Sequence, residues 1–393
     1  MKVLYVTSGF PYPLTSGYLR HYHLTDALSR AGHRVTLASL IGRSTTPEDI
    51  ATMQSRVEHV ITARRPRSRA RRSIGRAAEL AGLRPADDVR ALVELIRRKD
   101  RFDVVLLSGK RTTPVLDAIG TTPVVVDLCD ATSQRLEGMA RAASGVARRR
   151  ILLELEFVRR AEQRLIGRAA NLLVASERDR QAMTATGVRA KRLSILPNGV
   201  DASFWERRND RLGEDRVVMT GVMDYEPNVD AAITLLESVM PIVRESIPSA
   251  RLEIVGRDPT PELRAIAARA PATTVTGFVD DVRPHLEAAS VFAAPLRFGA
   301  GIQNKVLEAM AMSVPSVTST LAAAGLAIDG SIPPVATADE PHRFAEALTE
   351  RLQAARRDPR PDWAARSYVV DHFSWQRGGR RLVEIIEHAA DAA

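Results

Sequence analysis

Short apolar, β-branched runs alternate with longer stretches of helical spacing along most of the chain. "KVLYVT" (2–7) is the first such run. A glycine-containing loop leads from it into "YLRHYHLTDALSRAG", where Leu19, Tyr22, Leu24, Ala27 and Leu28 have helical spacing and Gly32 ends the helix. "HRVTLASL", "FDVVLLS", "TPVVVDL" and "NLLVASE" read as further strands, and a long helix, "ARRRILLELEFVRRAEQRLIGRAA", lies between the last two. "LSILPNGVD" (193–201) reads as a strand with an exit turn, and a second series starts beyond it. Its strands are "RVVMTG", "ARLEIVG", "TVTGF" and "VFAAPL"; its helices are "NVDAAITLLESVMPIVRES", "PELRAIAARA" and "VRPHLEAAS". The last segment, "SYVVDHFSWQRGGRRLVEIIEHAA", reads as a terminal helix. Strands alternating with helices build parallel sheets through right-handed crossovers. Two such series in tandem predict an α/β protein of two doubly wound domains facing each other across a cleft.

Length agrees, since 393 residues exceed what one core usually organises. A hydrophobic fraction of 45% and a charged fraction of 26% are those of an ordinary globular protein. The single cysteine, Cys129, excludes an internal disulfide and points to a reducing compartment. No stretch approaches the roughly 20 apolar residues of a spanning helix, and the N-terminal run, broken by Pro11 and Pro13, reads as a strand rather than a signal peptide. No His/Cys/Asp cluster has metal-ligand spacing, so neither a metal nor another cofactor is expected.

Charge changes the picture more. The net +9 is mostly arginine and uneven: "ARRPRSRARRSIGR" (63–76) holds seven arginines, and Arg148, Arg149, Arg150, Arg159 and Arg160 form a second basic region. A solvated loop, an anionic membrane surface and nucleic acid are the three readings open to such a run, with the membrane ahead of nucleic acid.

The stretch "GAGIQNKVLEAMAM" (299–312) carries the candidate chemistry. In an open parallel sheet, ligands bind beyond the carboxyl ends of the strands. "VFAAPL" is a strand, so "RFGAG" is the loop at its carboxyl end, and its glycines let backbone approach a ligand. The helix that follows offers free N–H groups and roughly +0.5 charge, which suit a phosphate. Lys305 adds a full positive charge one turn in, and Glu308 can accept from two vicinal hydroxyls such as those of a ribose. Spacing alone equally allows an intrahelical Lys–Glu pair.

"PLRFGAGIQNKVLEAMAMSVPSV", "GVMDYEPNVDA", "LEIVG", "VTGFVDDVRPHLEAASV" and "LPNGVD" resemble the nucleotide-binding domain of GT-B glycosyltransferases of the retaining, group-1 type. "YVTSGFPYPLTSGYLRHYHLTDALSRAGHRVTL" resembles the first domain of that superfamily, and sugar transferases of bacterial exopolysaccharide systems are the nearest branch. The resemblance implies Rossmann-like domains over 1–197 (acceptor) and 198–370 (nucleotide sugar), with a C-terminal helix over 371–393 crossing back to the first.

It also implies site residues. Of the glutamate pair common in this superfamily, Glu308 fits the ribose-binding member, while Ala300 stands where the other would be. Backbone N–H groups of Ala300, Gly301 and Ile302 are then left to meet sugar hydroxyls or phosphate. The arginine that many relatives carry after the first strand of the second domain is absent from "GVMDYEPN", which starts at Gly221. Lys305 and Arg297 are left to neutralise the departing diphosphate. "GRDP", starting at Gly256, and "GFVDD", with Val279, either line the base pocket or are simple turns. In the first domain, Ser16 and Gly17 form the glycine loop near phosphate and acceptor, and Arg20 meets a phosphate or lies exposed. Cys129 occupies a column where many relatives have histidine, so Asp130, then Asp127, are the candidates for contact with acceptor hydroxyl or sugar. Buried aspartates capping a helix are the alternative, and His21 and His23 are another source of polar contact.

The resulting expectation is a glycosyltransferase that moves a sugar from a UDP- or GDP-linked donor to a hydroxyl with retention. The acceptor would be a lipid-linked glycan in polysaccharide biosynthesis. The enzyme would be cytoplasmic or peripheral at the inner membrane face, with no nucleic-acid partner. Rival readings are a natural-product glycosyltransferase with a small-molecule aglycone, a nucleotide-sugar epimerase of the same fold, and a non-catalytic nucleic-acid-binding module.

Overall fold

The apolar runs of the first half become a parallel sheet. In the computed structural model, which describes residues 1–14, 18–65, 68–83, 85–99, 101–129, 132–189, 192–298 and 302–392, the chain forms two units. One comprises Met1–Asn198 and Trp375–Ala393, the other Gly199–Ser374.

In chain order the first unit has β1 (Lys2–Thr7), α1 (Leu19–Arg30), β2 (Arg34–Ile41), α2 (Pro47–Gln54), β3 (His59–Arg64), α3 (Arg69–Leu80) and α4 (Asp87–Arg97). It continues with β4 (Val104–Ser108), a 3-10 segment (Lys110–Asp117), β5 (Val124–Cys129), α5 (Thr132–Ala142), α6 (Gly145–Arg168), β6 (Asn171–Val174), α7 (Glu177–Ala185) and β7 (Leu193–Ile195). The strands pair in the order β3-β2-β1-β4-β5-β6-β7, all parallel. Because parallel strands are covered on both faces, β4 and most of β1, β2 and β5 are buried without alternation. That is why these segments read as continuous apolar runs.

The second unit holds β8 (Arg216–Thr220), α8 (Glu226–Thr234), α9 (Met240–Ser246), β9 (Arg251–Val255), α10 (Pro261–Ala267), β10 (Thr273–Val275), α11 (Arg283–Glu287) and β11 (Val291–Ala294). Then come α12 (Asn304–Ala311), β12 (Ser316–Thr318), α13 (Thr320–Ala324), β13 (Ala336–Thr337), α14 (Pro341–Arg357) and α15 (Trp363–Phe373). Its six strands are parallel in the order β10-β9-β8-β11-β12-β13. Met219, Ile254 and Ala293 from the sheet pack with Leu235, Val239, Phe344 and Leu348 from the helical layer.

Three local features depart from the sequence pattern. The terminal segment is two helices, α15 and α16 (Trp375–Asp391), broken at Ser374, whose extended backbone makes an isolated parallel bridge with Val200. The expected helix over 228–246 contains a π turn, Leu235–Val239, just ahead of Pro241, which has no N–H to give the ladder. The arginine run is not all loop: Ala63 and Arg64 end β3, and Arg69–Arg76 lie in α3.

α16 belongs to the first unit and packs on α1. Leu382, Ile386 and Ala389 join Leu24 and Leu28 in its core, and a Cβ on Gly379 would stand 2.6 Å from the Cβ of Ala27. Glycine lets the two helices meet there. His23 is part of this junction, its ring stacked on Trp375 with centroids 4.5 Å apart. Among the described residues, no helix is long and apolar enough to cross a membrane.

Candidate active site

In the second sheet the chain runs outward from β8 through β9 to β10, then returns to place β11 on the other side of β8. The strand order reverses between β8 and β11, and ligand crevices form at such switch points, beyond the carboxyl ends. The two segments leaving that point are Gly221 to α8 and Arg297 to α12.

Asn228 and Lys305 join them. Asn228, in the first turn of α8, is buried; its Nδ2 donates to the Val222 carbonyl at 2.9 Å. Its Oδ1 accepts a hydrogen bond from Lys305 Nζ, which reaches across from the first turn of α12. A Cβ on Gly221 would stand 2.7 Å from Asn228 Nδ2, so glycine makes room for this amide. No side chain caps the start of α12, where N–H groups lack intrahelical partners. Ile302, just ahead of it, is buried.

Glu308 lies three residues beyond Lys305, and both are half-buried. Burial pushes the Lys305 ammonium down to about 8, against the pull of Glu308, and pushes the Glu308 carboxyl up to about 7, against the pull of Lys305. Among the described residues the Glu308 carboxyl has no hydrogen-bond partner in the protein. A half-buried acid without a hydrogen-bond partner, next to a cation, is costly to the folded chain and ready to receive donors from a ligand.

Arg297 sits on the exposed side of the same edge, where its Nε and Nη2 donate to the two carboxylate oxygens of Asp230 of α8 (Nε–Oδ2 2.8 Å). That contact uses the charge expected to meet a diphosphate.

The other strand-end loops are drawn together by glycines. Gly256, after β9, has φ +155°, and a Cβ there would fall 1.7 Å from the Gly221 carbonyl oxygen. Gly256 also bridges Gly277, after β10. Val279 follows, half-buried, beside the exposed Phe278. Gly256→Ala is expected to push these loops apart and destabilise the second unit by about 1–3 kcal/mol, the usual cost of overpacking. Denaturant unfolding measures it.

At the first unit's switch point, between β1 and β4, the structure corrects two expectations. Arg20 does not lie free for a phosphate, nor Asp127 for a sugar hydroxyl, because they bond to each other. Nε and Nη2 of Arg20 donate to Asp127 Oδ2 and Oδ1 at 2.8 and 2.9 Å, and Nη1 donates to the Leu196 and Pro197 carbonyls. Both residues are buried. Burial raises the Asp127 carboxyl, but the Arg20 guanidinium outweighs it and holds it below the usual range. Arg20 is raised by the same pairing, against burial.

His21 Nδ1 lies 2.8 Å from the Tyr5 hydroxyl, and burial lowers its pKa to about 4, so it is neutral at pH 7. Cys129 ends β5 with φ +63°, at a register shift against β6. Ser16, Gly17, Asp130, Ala300 and Gly301 lie outside the described residues. Among the described residues, no three His, Cys, Asp or Glu side chains stand close enough to hold a metal.

Two polar residues escaped the sequence reading. Asn228 could have been found from its place in the first helical turn after the strand-end Gly221. Lys110 follows Gly109 directly after β4, the switch strand; its Nζ donates to the Leu128 carbonyl at 2.9 Å and to Thr132 Oγ1 at 2.7 Å, tying β5 to α5.

Two family profiles match the chain. "Glycosyl transferase 4-like domain" covers residues 19–199, and "Glycosyl transferases group 1" covers 214–354. A GDP-mannose-dependent alpha-(1-6)-phosphatidylinositol monomannoside mannosyltransferase of Mycolicibacterium smegmatis is 27% identical over 221 residues, 51% of this chain and 57% of that protein. The match thus spans little more than half the length of that relative. Among solved structures, Anabaena HepE, crystallised with UDP, superposes with a TM-score of 0.66 at 15% identity, over 99% of this chain and 100% of that one. Sucrose-phosphate synthase from Thermosynechococcus elongatus gives a TM-score of 0.68 at 15% identity, over all of both chains. With its two parallel-sheet units and both profiles in register with them, the chain belongs to the group 1 glycosyltransferases of GT-B fold.

Proposed function

We propose that the protein transfers a sugar from a nucleoside diphosphate sugar to a hydroxyl of a lipid-linked glycan, with retention, and that the edge between β8 and β11 holds the donor. The observation that carries this reading is the Lys305–Glu308 pair: a cation held in place by Asn228, and an acid without a protein hydrogen-bond partner among the described residues, on one turn of an uncapped helix. Lys305 and the N-terminal end of α12 face the diphosphate, Glu308 the ribose hydroxyls, and Gly256 and Val279 the base. When the bond from the anomeric carbon to the phosphate oxygen breaks, charge builds on the departing diphosphate, and Lys305 stabilises it. The names of two similar proteins support a nucleotide sugar, since one is GDP-mannose-dependent and Anabaena HepE was solved with UDP-glucose. The phosphatidylinositol mannoside in the first of those names supports a lipid-linked acceptor.

Asp130 remains the candidate for contact with the acceptor hydroxyl or the donor sugar. Asp127 does not, being occupied by Arg20. Asn228 is a positioning residue: Asn228→Ala frees the Lys305 side chain and is expected to weaken nucleotide binding by about 1–2 kcal/mol. Lys305→Met in that background should then add less than it does alone, because the two act as a unit.

A thermal-shift screen against nucleoside diphosphates and their sugars tests the proposal, because a ligand of the folded state raises the melting temperature. A rise with UDP or GDP compounds, followed by sugar transfer to a lipid-linked glycan acceptor, is expected. No shift with any of them would remove the donor site.

A further inference from the structure

The first nine residues of α6, Gly145–Leu153, contain Arg148, Arg149 and Arg150 and no acid. Eight of them are exposed; Ile151 alone is half-buried, packed against the small cluster of Leu136, Leu155 and Val158. At about 100° per residue, Val146, Arg149 and Leu153 fall on the side away from Leu155 and Val158, Leu152 lies at the edge of that side, and Arg148 and Arg150 flank it. Val146, Leu152 and Leu153 are 68%, 41% and 58% exposed. The helix therefore turns outward a second face on which exposed aliphatic side chains surround Arg149.

The arginines do nothing evident for the helix itself. Cations near a helix N-terminus oppose its dipole. Among the described residues Arg148, Arg149 and Arg150 have no ion-pair partner, whereas Arg159 and Arg160 further along are paired with Glu137 and Glu156. The same composition continues next door. α3 packs beside α6, Gly82 lies against the Arg160 guanidinium, and Ile74 and Leu83 are 63% and 79% exposed.

Aliphatic side chains interleaved with and flanked by arginines that have no ion-pair partner among the described residues match an anionic lipid surface, with leucines at the headgroup–acyl boundary and guanidinium groups on lipid phosphates. A second copy would bring like charge against like. Single-stranded nucleic acid is gripped by aromatic platforms, and these exposed side chains are aliphatic.

We propose that the outer face of the first turns of α6 docks the protein on an anionic bilayer. This deepens the lipid-linked-acceptor reading, but its test needs neither sugar nor nucleotide, so the two can fail separately.

The test is co-sedimentation of the full chain with vesicles of equal parts phosphatidylcholine and phosphatidylglycerol, against vesicles of phosphatidylcholine alone. Binding to the anionic vesicles only, released by salt, is expected. R148Q/R149Q/R150Q should lower the partition coefficient roughly 100-fold, at about one basic residue's worth of attraction each. L152S/L153S should lower it roughly tenfold, since the leucines bury partway. Unchanged circular-dichroism melting of both variants shows that the loss is not unfolding. Equal binding to neutral vesicles, or undiminished binding by both variants, overturns the proposal. So does wild-type chain that ignores vesicles but binds duplex DNA, or that forms a dimer lost in L152S/L153S.

Discussion

Lys305→Met is expected to slow sugar transfer roughly 10²–10³-fold, the usual cost of removing one group aimed at developing charge. Nucleotide affinity should fall less, because the charge on the leaving diphosphate is greatest as the glycosidic bond breaks. The same substitution should change stability by no more than about 1–3 kcal/mol, the cost of leaving Asn228 Oδ1 without its donor, offset by relief of the buried cation. Burial lowers the Lys305 ammonium to about 8, which means that the folded chain disfavours this cation, and methionine relieves that cost. A merely structural lysine would show the reverse pattern: lost stability with turnover intact.

The pair also predicts a pH profile. Glu308 must ionise, near 7, to accept from two hydroxyls, and Lys305 must keep its proton, up to about 8. The donor kcat/KM of the free enzyme should therefore fall below about 7 and above about 8. Stability of the unliganded protein should move the opposite way. A carboxyl raised from 4.5 to about 7 binds more protons folded than unfolded, so stability falls as pH rises through that window. A lysine lowered from 10.5 to about 8 makes stability rise again above 8.

Asp127→Ala is expected to destabilise the first unit by about 3–5 kcal/mol, because it strands the Arg20 guanidinium without its buried carboxylate. Two-thirds of that loss should be recovered in Arg20→Met/Asp127→Leu, which removes both charges, to within about 1–2 kcal/mol. The folded Asp127 carboxyl lies below its unfolded value, so its contribution is present above the ordinary carboxylate pKa and is lost as pH falls through the folded pKa. Urea unfolding of the two variants measures both effects. A small loss in Asp127→Ala would mean that the pair is not sealed.

The two sheets were legible in the sequence because buried parallel strands are uniformly apolar, as "VVLLS" and "VVVDLC" are. Short strands such as Ser316–Thr318 and Ala336–Thr337 carry too few residues to show a period, and the edge strand His59–Arg64 runs into the arginine-rich stretch at its end. For the site, position after strand and loop left Lys305 and Glu308 open between a ligand site and an intrahelical pair, and the family resemblance made them candidates. What local sequence could not show is pairing between distant segments. Arg20 finds Asp127 across 107 positions and Lys305 finds Asn228 across 77, so neither the sealing of one cation nor the anchoring of the other is written in its neighbourhood. Arg297 is a similar case, held by Asp230 of α8.

Calorimetric titration of UDP, GDP and inorganic pyrophosphate into the wild-type chain and Glu308→Ala tests the donor site most directly. At least one nucleotide should bind the wild type and lose about 1.5–3 kcal/mol in the variant, the cost of charged hydrogen bonds, while pyrophosphate, which has no ribose, binds both alike. Undiminished affinity for both nucleotides in Glu308→Ala would contradict the assignment.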